Sequence, residues 1–179
     1  MKGGITMPRF AVDLNTGDGR SKVGGQPWRV APGLVPGEPN EGLTARLLAT
    51  PARLADFDDS AWDVCDNVRQ SLSEGFTFAW YRIAVTLPGT IDGVNVAGAR
   101  VWFETNFDNY GEVWVNGEID RAYGSIVGLN TPHRVEIAEV GEPGSRYVIA
   151  CLCLNGPLAA PRGGVFMRFA TLAFESTDN

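Results

Sequence analysis

FDNYGEVWVNGEIDRAYG, residues 107–124, is the stretch whose reading decides the fold. Asn116-Gly117 within it is the strongest short hairpin signal. A type I′ turn needs positive φ at both central residues, and Asn and Gly tolerate that best. The turn therefore predicts two antiparallel strands, with Val113 and Val115 folding the sheet. Outward from it the period stays at two, the mark of half-buried strands. AWYRIAVTL (79–87) sets Tyr81, Ile83, Val85 and Leu87 against Trp80, Arg82, Ala84 and Thr86. RVWFET (100–105) sets Val101 and Phe103 against Trp102 and Glu104. RVEIAEV (134–140) and RYVIACLCLN (146–155) continue the series. VFMRFATLAFE (165–175) closes it, with Phe166, Arg168, Ala170, Leu172 and Phe174 on one face and Val165, Met167, Phe169 and Thr171 on the other. Long strands joined by Gly/Pro loops predict an all-β antiparallel sandwich. GTIDGVNVAG (89–98) links two of them. The one helix-like stretch is SAWDVCDNVRQSL (60–72), with Ser60 placed to cap a short turn.

The 179 residues suit one domain, and 22 Gly with 11 Pro favour many short elements. Residues 1–50 are richest in these, as in NTGDGRSKVGGQPW and VAPGLVPGEPN, and read as a segment wrapping the main body formed by 51–179. Within it, RFAVDL (9–14) and GLTARLLAT (42–50) are candidate edge strands or a helical turn. The formal charge of −6 with scattered basic residues lacks the footprint for nucleic acid or an anionic membrane. No run approaches a membrane span, and MKGGITMPRFAVDL has no apolar leader core, so a cytoplasmic location is the expectation. Of three cysteines, Cys151 and Cys153 point the same way on a strand and read, like Cys65, as small core residues rather than a disulfide framework.

Two groups of residues exceed what a sheet needs. Trp80 with Arg82, Trp102 with Glu104, and Glu112 with Trp114 set aromatics beside charges on three strands. They form either a ligand platform or a second small core beneath the N-terminal segment. ETNFDNYGE (104–112) adds Asn106, Asp108, Asn109 and Tyr110. Glu104 and Glu112 are a candidate carboxylate pair on facing strands, which glycoside hydrolysis would need about 5–9 Å apart. Asp56, Asp58 and Asp59 of DFDDS lack calcium-loop spacing and read as a turn, so no metal or cofactor is expected. His133, the only histidine, has no Cys/His/Asp pattern around it and reads as loop packing.

FDDSAWDV (57–64), FAWYRIAVTLP (78–88) and VWFETNFDNYGEVWVNGE (101–118) resemble the sugar-binding, galactose-binding-like jelly-roll domain of family 2 glycoside hydrolases such as β-galactosidases and β-glucuronidases. NYGEVWVNGEIDRAYG, VGLNTPHRVEI and LCLNGPLAAPRGGVFMRFATLAFE are similar also to the β-sandwich domain attached to gluconolactonase-like propeller proteins. The resemblance runs over about residues 55–175. It implies an eight- or nine-stranded jelly roll, a domain that supports a separate catalytic unit without doing chemistry, turn roles for Asn116 and Gly117, and structural roles for Trp62 and Trp80. The chain carries neither barrel nor propeller, which predicts a catalytic partner on a separate polypeptide or a task of its own.

Three functions follow as expectations. The first is a non-catalytic module for a saccharide or similar polyhydroxylated ligand, held by Asn106, Asp108, Asn109 and Tyr110 with Glu112 and Arg82 on the adjacent face. The second is a cofactor-free lyase, isomerase or cyclase with Glu104 or Glu112 as acid/base, Tyr81 or Tyr110 assisting, and Arg82 or Arg168 stabilising negative charge. The third is a protein-interaction subunit docking through an exposed apolar patch.

Overall fold

Alternating strands must bury one face, and here two sheets bury theirs against each other. The computed structural model describes residues 9–33, 35–37, 50–72, 77–120, 125–126, 131–155 and 163–176. Its strands are β1 (Phe10–Asp13), β2 (Trp28–Pro32), β3 (Asp63–Cys65), β4 (Thr77–Thr86), β5 (Thr90–Ile91), β6 (Val94–Asn95), β7 (Arg100–Asp108), β8 (Tyr110–Val115), β9 (Ser125–Ile126), β10 (His133–Ala138), β11 (Arg146–Asn155) and β12 (Phe166–Glu175). One sheet has the order β1-β12-β7-β10 and the other β3-β2-β4-β11-β8-β9, while β5 and β6 form a small ribbon. All pairings are antiparallel. The all-β jelly-roll sandwich expected from the sequence is the fold.

The inward faces supply the core: Tyr81, Ile83 and Val85 of β4, Ile149, Cys151 and Cys153 of β11, Val101, Phe103 and Phe107 of β7, and Ala170, Leu172 and Phe174 of β12. All three cysteines are buried and unbridged, and burial pushes the Cys151 and Cys153 thiols up. Asn116 and Gly117 both have positive φ, 50° and 88°, and close the turn between Val115 and Glu118. The Asn116 side chain also accepts the Val148 N–H at 2.8 Å, locking the turn to β11.

Four readings need correction. Residues 10–13 and 28–32 are part of the sandwich rather than a wrapping: β1 edges the four-stranded sheet, and β2 lies inside the six-stranded one between β3 and β4. Trp28 and Val30 of β2 belong to the core. RFAVDL does become an edge strand, whereas residues 42–49 of GLTARLLAT fall outside the described residues. Residues 60–72 form turns and β3 rather than a helix. The one α-helix of the described residues is α1 (Gly17–Lys22), capped by the Thr16 hydroxyl. In β12 a bulge between Met167 and Phe169 shifts the phase, so Met167 and the preceding Val165 are buried with Ala170 and Leu172. An extra residue in one strand does this because side chains alternate strictly.

The fourth correction matters most for function. β7 and β8 are consecutive in sequence but lie in different sheets, so Asp108 and Asn109 form a corner between layers. The corner works because Gly111 gives up its side-chain volume to Phe107. A Cβ at Gly111 would sit 2.1–2.5 Å from three ring atoms of the fully buried Phe107. Gly111→Ala is expected to cost about 2–3 kcal/mol by overpacking, read as a lower urea midpoint. A loss within about 0.5 kcal/mol would show that the ring has room to move.

Candidate functional site

The register β4–β11–β8 sets Arg82, Ala150 and Trp114 in one cross-strand row on the outer face of the six-stranded sheet, and Trp80, Leu152 and Glu112 in the next. Four of the residues expected on a platform thus share a face. That face is covered. The 3₁₀ turn Pro51–Arg53 places Ala52, fully buried, among Phe78, Trp80, Trp114, Ala150 and Leu152 as a second core. Arg53 lies over the Trp114 ring at 5.5 Å and donates to the Gly117 carbonyl at 2.9 Å.

Arg82 anchors the cover. It is 2% exposed, and its guanidinium reaches back into its own chain. Nε donates to Asp59 Oδ2 at 2.8 Å, Nη1 to the Ala52 and Leu54 carbonyls, and Nη2 to the Phe57 carbonyl at 3.4 Å. These contacts fix the path of residues 52–59. The acids of DFDDS have local tasks as well: Asp59 pairs with Arg82, and Asp58 accepts the Ser60 N–H at 2.9 Å in a tight turn. Among the described residues no group of three or more metal-ligating side chains converges.

Trp102 and Glu104 lie elsewhere. They project from the outer face of the four-stranded sheet, on the far side of the sandwich from Trp80 and Glu112. Arg134 covers the Trp102 ring at 4.2 Å and Arg100 approaches it at 5.9 Å. Glu104 pairs with Arg9 and Arg134, and Arg134 also pairs with Glu175. The hydrogen bond from Arg134 holds the Glu175 carboxyl below its ordinary range. Packed sheets are about 10 Å apart, and Glu104 and Glu112 point away from each other. Their carboxylates cannot approach the separation a glycosidase pair requires.

The corner residues form a third location. Asn106 and Asn109 are buried, and Asn109 donates its N–H to the Leu154 carbonyl at 3.1 Å. Asp108 accepts from Arg168 Nη2 at 3.0 Å and from the Asn109 side chain. These groups tie β7, β11 and β12 together where the chain changes sheets. Tyr110 is half-buried on the outer face of the six-stranded sheet, in the row of Leu154 and Phe78. Tyr81 is in the core, its hydroxyl donating to the Val165 carbonyl at 3.3 Å, and desolvation drives its pKa far above the ordinary value. It cannot assist as an acid or base near neutrality. His133 opens β10 half-buried, and desolvation lowers its pKa.

An open concave surface lies at the β2–β3 edge. A groove of about 600 Å³ is lined by Val30, Pro32, Pro36, Phe57, Trp62 and Asp63. Phe57 and Trp62 form a tilted aromatic pair with centroids 5.4 Å apart. Next to it, and sharing Phe57, a cleft of about 200 Å³ is lined by Gln26, Arg29, Asp59, Ser60, Arg82 and Arg146. The sequence reading missed Phe57, Arg29 and Arg146 as site residues and gave Trp62 a structural role. The FDDSAW spacing, which turns at Asp58–Ser60, was the one available signal.

No protein-family model and no curated protein matches the chain. Solved structures do. Bacteroides uniformis β-glucuronidase 2 is 18% identical with a TM-score of 0.62, over 93% of this chain and 18% of that one. Faecalibacterium prausnitzii β-glucuronidase is 16% identical with a TM-score of 0.58, over 94% of this chain and 32% of that one. A putative β-galactosidase from Bacteroides fragilis is 20% identical with a TM-score of 0.55, over 94% and 23%. The chain therefore has the fold of the β-sandwich domains carried by these glycosidases, and it spans between 18% and 32% of their lengths.

Proposed function

We propose that this chain is a non-catalytic β-sandwich module that holds a saccharide or similar polyhydroxylated ligand and acts beside a separate catalytic chain. The observation that carries the reading is the open groove with Phe57 and Trp62 on its wall and Asp63 at its edge. Sugar rings present apolar C–H faces that pack on aromatic rings, while carboxylates and main-chain groups take the hydroxyls. The fold shared with glycosidase domains supports a carbohydrate-related role. The enzyme reading is less well supported, because Glu104 and Asp108 are neutralised by arginines and Glu104 and Glu112 face apart. The interaction-subunit reading has Val64, Leu72 and Val140 as its exposed large apolar groups among the described residues; Val64 lies on β3 of the six-stranded sheet and Val140 just beyond β10 of the four-stranded one.

Trp62→Ala is expected to weaken saccharide binding about tenfold, the size of one 1.4 kcal/mol contact. Titration calorimetry against a panel of neutral and acidic sugars measures it. An unchanged affinity would move the site off this groove.

A further inference from the structure

Three arginines meet at the small cleft beside the aromatic groove, in a chain whose net charge is −6. Arg29 and Arg82 are direct cross-strand partners on β2 and β4. Like charges in that relation are destabilising. Arg146 comes from β11, the neighbour of β4 on its other side. Against these three cations, the described residues lining the cleft offer a single carboxylate, Asp59, and it is bound to Arg82. Arg29 donates one hydrogen bond, to the Trp62 carbonyl at 3.1 Å. The Arg146 guanidinium is exposed and has no partner among the described residues. The cleft thus carries two positive charges in excess, with donors left over on Arg29 and Arg146 and with the Ser60 hydroxyl and Gln26 amide at hand.

We infer that this cleft takes the oxyanion of an acidic saccharide whose ring lies on Phe57 and Trp62. The inference rests on the saccharide reading above and adds the ligand's charge. Arg146 and Arg29 supply the anion contacts, for which a planar guanidinium is well suited. Arg82 is a positioning residue: it holds Phe57 and Asp59 at the boundary between the two compartments. The continuity is geometric, since Phe57 lines both and Arg29 is bonded to the main chain of Trp62. A cleft of about 200 Å³ has room for a carboxylate or phosphate and the atoms that carry it, while the ring remains in the larger groove.

The test is titration calorimetry at low ionic strength with D-glucuronate, D-glucose 6-phosphate, D-glucose and inorganic phosphate, on the wild type, Arg146→Glu and Arg146→Lys. At least one acidic sugar is expected to bind about tenfold or more tighter than D-glucose, as a charge-assisted contact provides. Arg146→Glu should remove that advantage and leave D-glucose within about twofold of wild type, while Arg146→Lys retains part of it. The two acidic sugars separate a carboxylate from a phosphate source. Equal affinity for acidic and neutral sugars, or an advantage that survives Arg146→Glu, overturns the inference and leaves the saccharide reading standing. Binding of inorganic phosphate without any sugar overturns both, and so does no binding at all.

Discussion

Arg82→Met is expected to remove about 3–5 kcal/mol of folding stability, the cost of breaking a buried charge pair on one side. The side chain is nearly inaccessible and donates to Asp59 and to three main-chain carbonyls of residues 52–57. Methionine fills much of the volume and offers no donor. Buried acceptors without partners each carry a desolvation cost of about 1–3 kcal/mol. Asp59 keeps 30% of its side-chain surface, so water compensates part of its loss, and the figure should fall toward the lower end. The local consequence is larger than the global one. Residues 52–59 should detach from the sheet, exposing Trp80 and Trp114 and opening the chain to proteases there. Arg82→Lys keeps the charge but cannot reach four acceptors with one compact ammonium, so it should recover less than half of the loss. Asp59→Leu combined with Arg82→Met should be less damaging than Arg82→Met alone, because no unpaired carboxylate remains. Urea unfolding and limited proteolysis of the three variants measure these effects. A loss below about 1 kcal/mol for Arg82→Met would mean that Ala52 and Arg53 alone hold the cover.

This anchoring role also shows which part of the molecule was legible in the sequence. The strands were, because period-two alternation survives wherever a strand is long and has one buried face, as in β4, β7 and β11. What alternation does not encode is sheet membership. ETNFDNYGE runs through the β7–β8 corner, where the close fit of Gly111 against Phe107 accompanies the change of layer. Trp102 and Glu104 were therefore assigned to the same face as Trp80 and Glu112, one layer away from where they lie. The expected helix has a related cause. Ala61, Val64, Cys65 and Val68 repeat at helical spacing, but pairing of β3 with β2 determines the backbone there. At the site, charge beside tryptophans singles out Arg82 as a ligand contact, and the structure places it buried, bonded to Asp59 and to the carbonyls of Ala52, Leu54 and Phe57. A sequence does not say whether a guanidinium's acceptors come from a ligand or from its own loop. Arg29 and Arg146 were invisible as a pair, since they are brought together only by the order β2-β4-β11.

Trp28→Ala is expected to cost about 3–5 kcal/mol, the range for truncating a large buried aromatic, and it tests whether the N-terminal region is integral to the sandwich. Trp28 sits on β2, fully buried, with its ring centroid 6.4 Å from that of Phe103 in the opposite sheet. Its indole N–H donates to the Leu14 carbonyl at 3.0 Å, just after β1. One side chain thus joins the end of β1, the six-stranded sheet and the four-stranded sheet. Its removal leaves a cavity bounded by strands already fixed by their ladders, which limits collapse around it. Trp28→Phe separates the two contributions: most of the apolar contact with Phe103 remains while the hydrogen bond is lost. That variant should cost about 1–2 kcal/mol. Were residues 9–32 merely laid over a finished core, both substitutions would leave the urea midpoint within about 0.5 kcal/mol of wild type. A large loss for alanine and a smaller one for phenylalanine is the pattern of a residue built into the core. The same pattern would make β2, with Arg29 beside Trp28, a rigid wall of the site rather than a mobile flap.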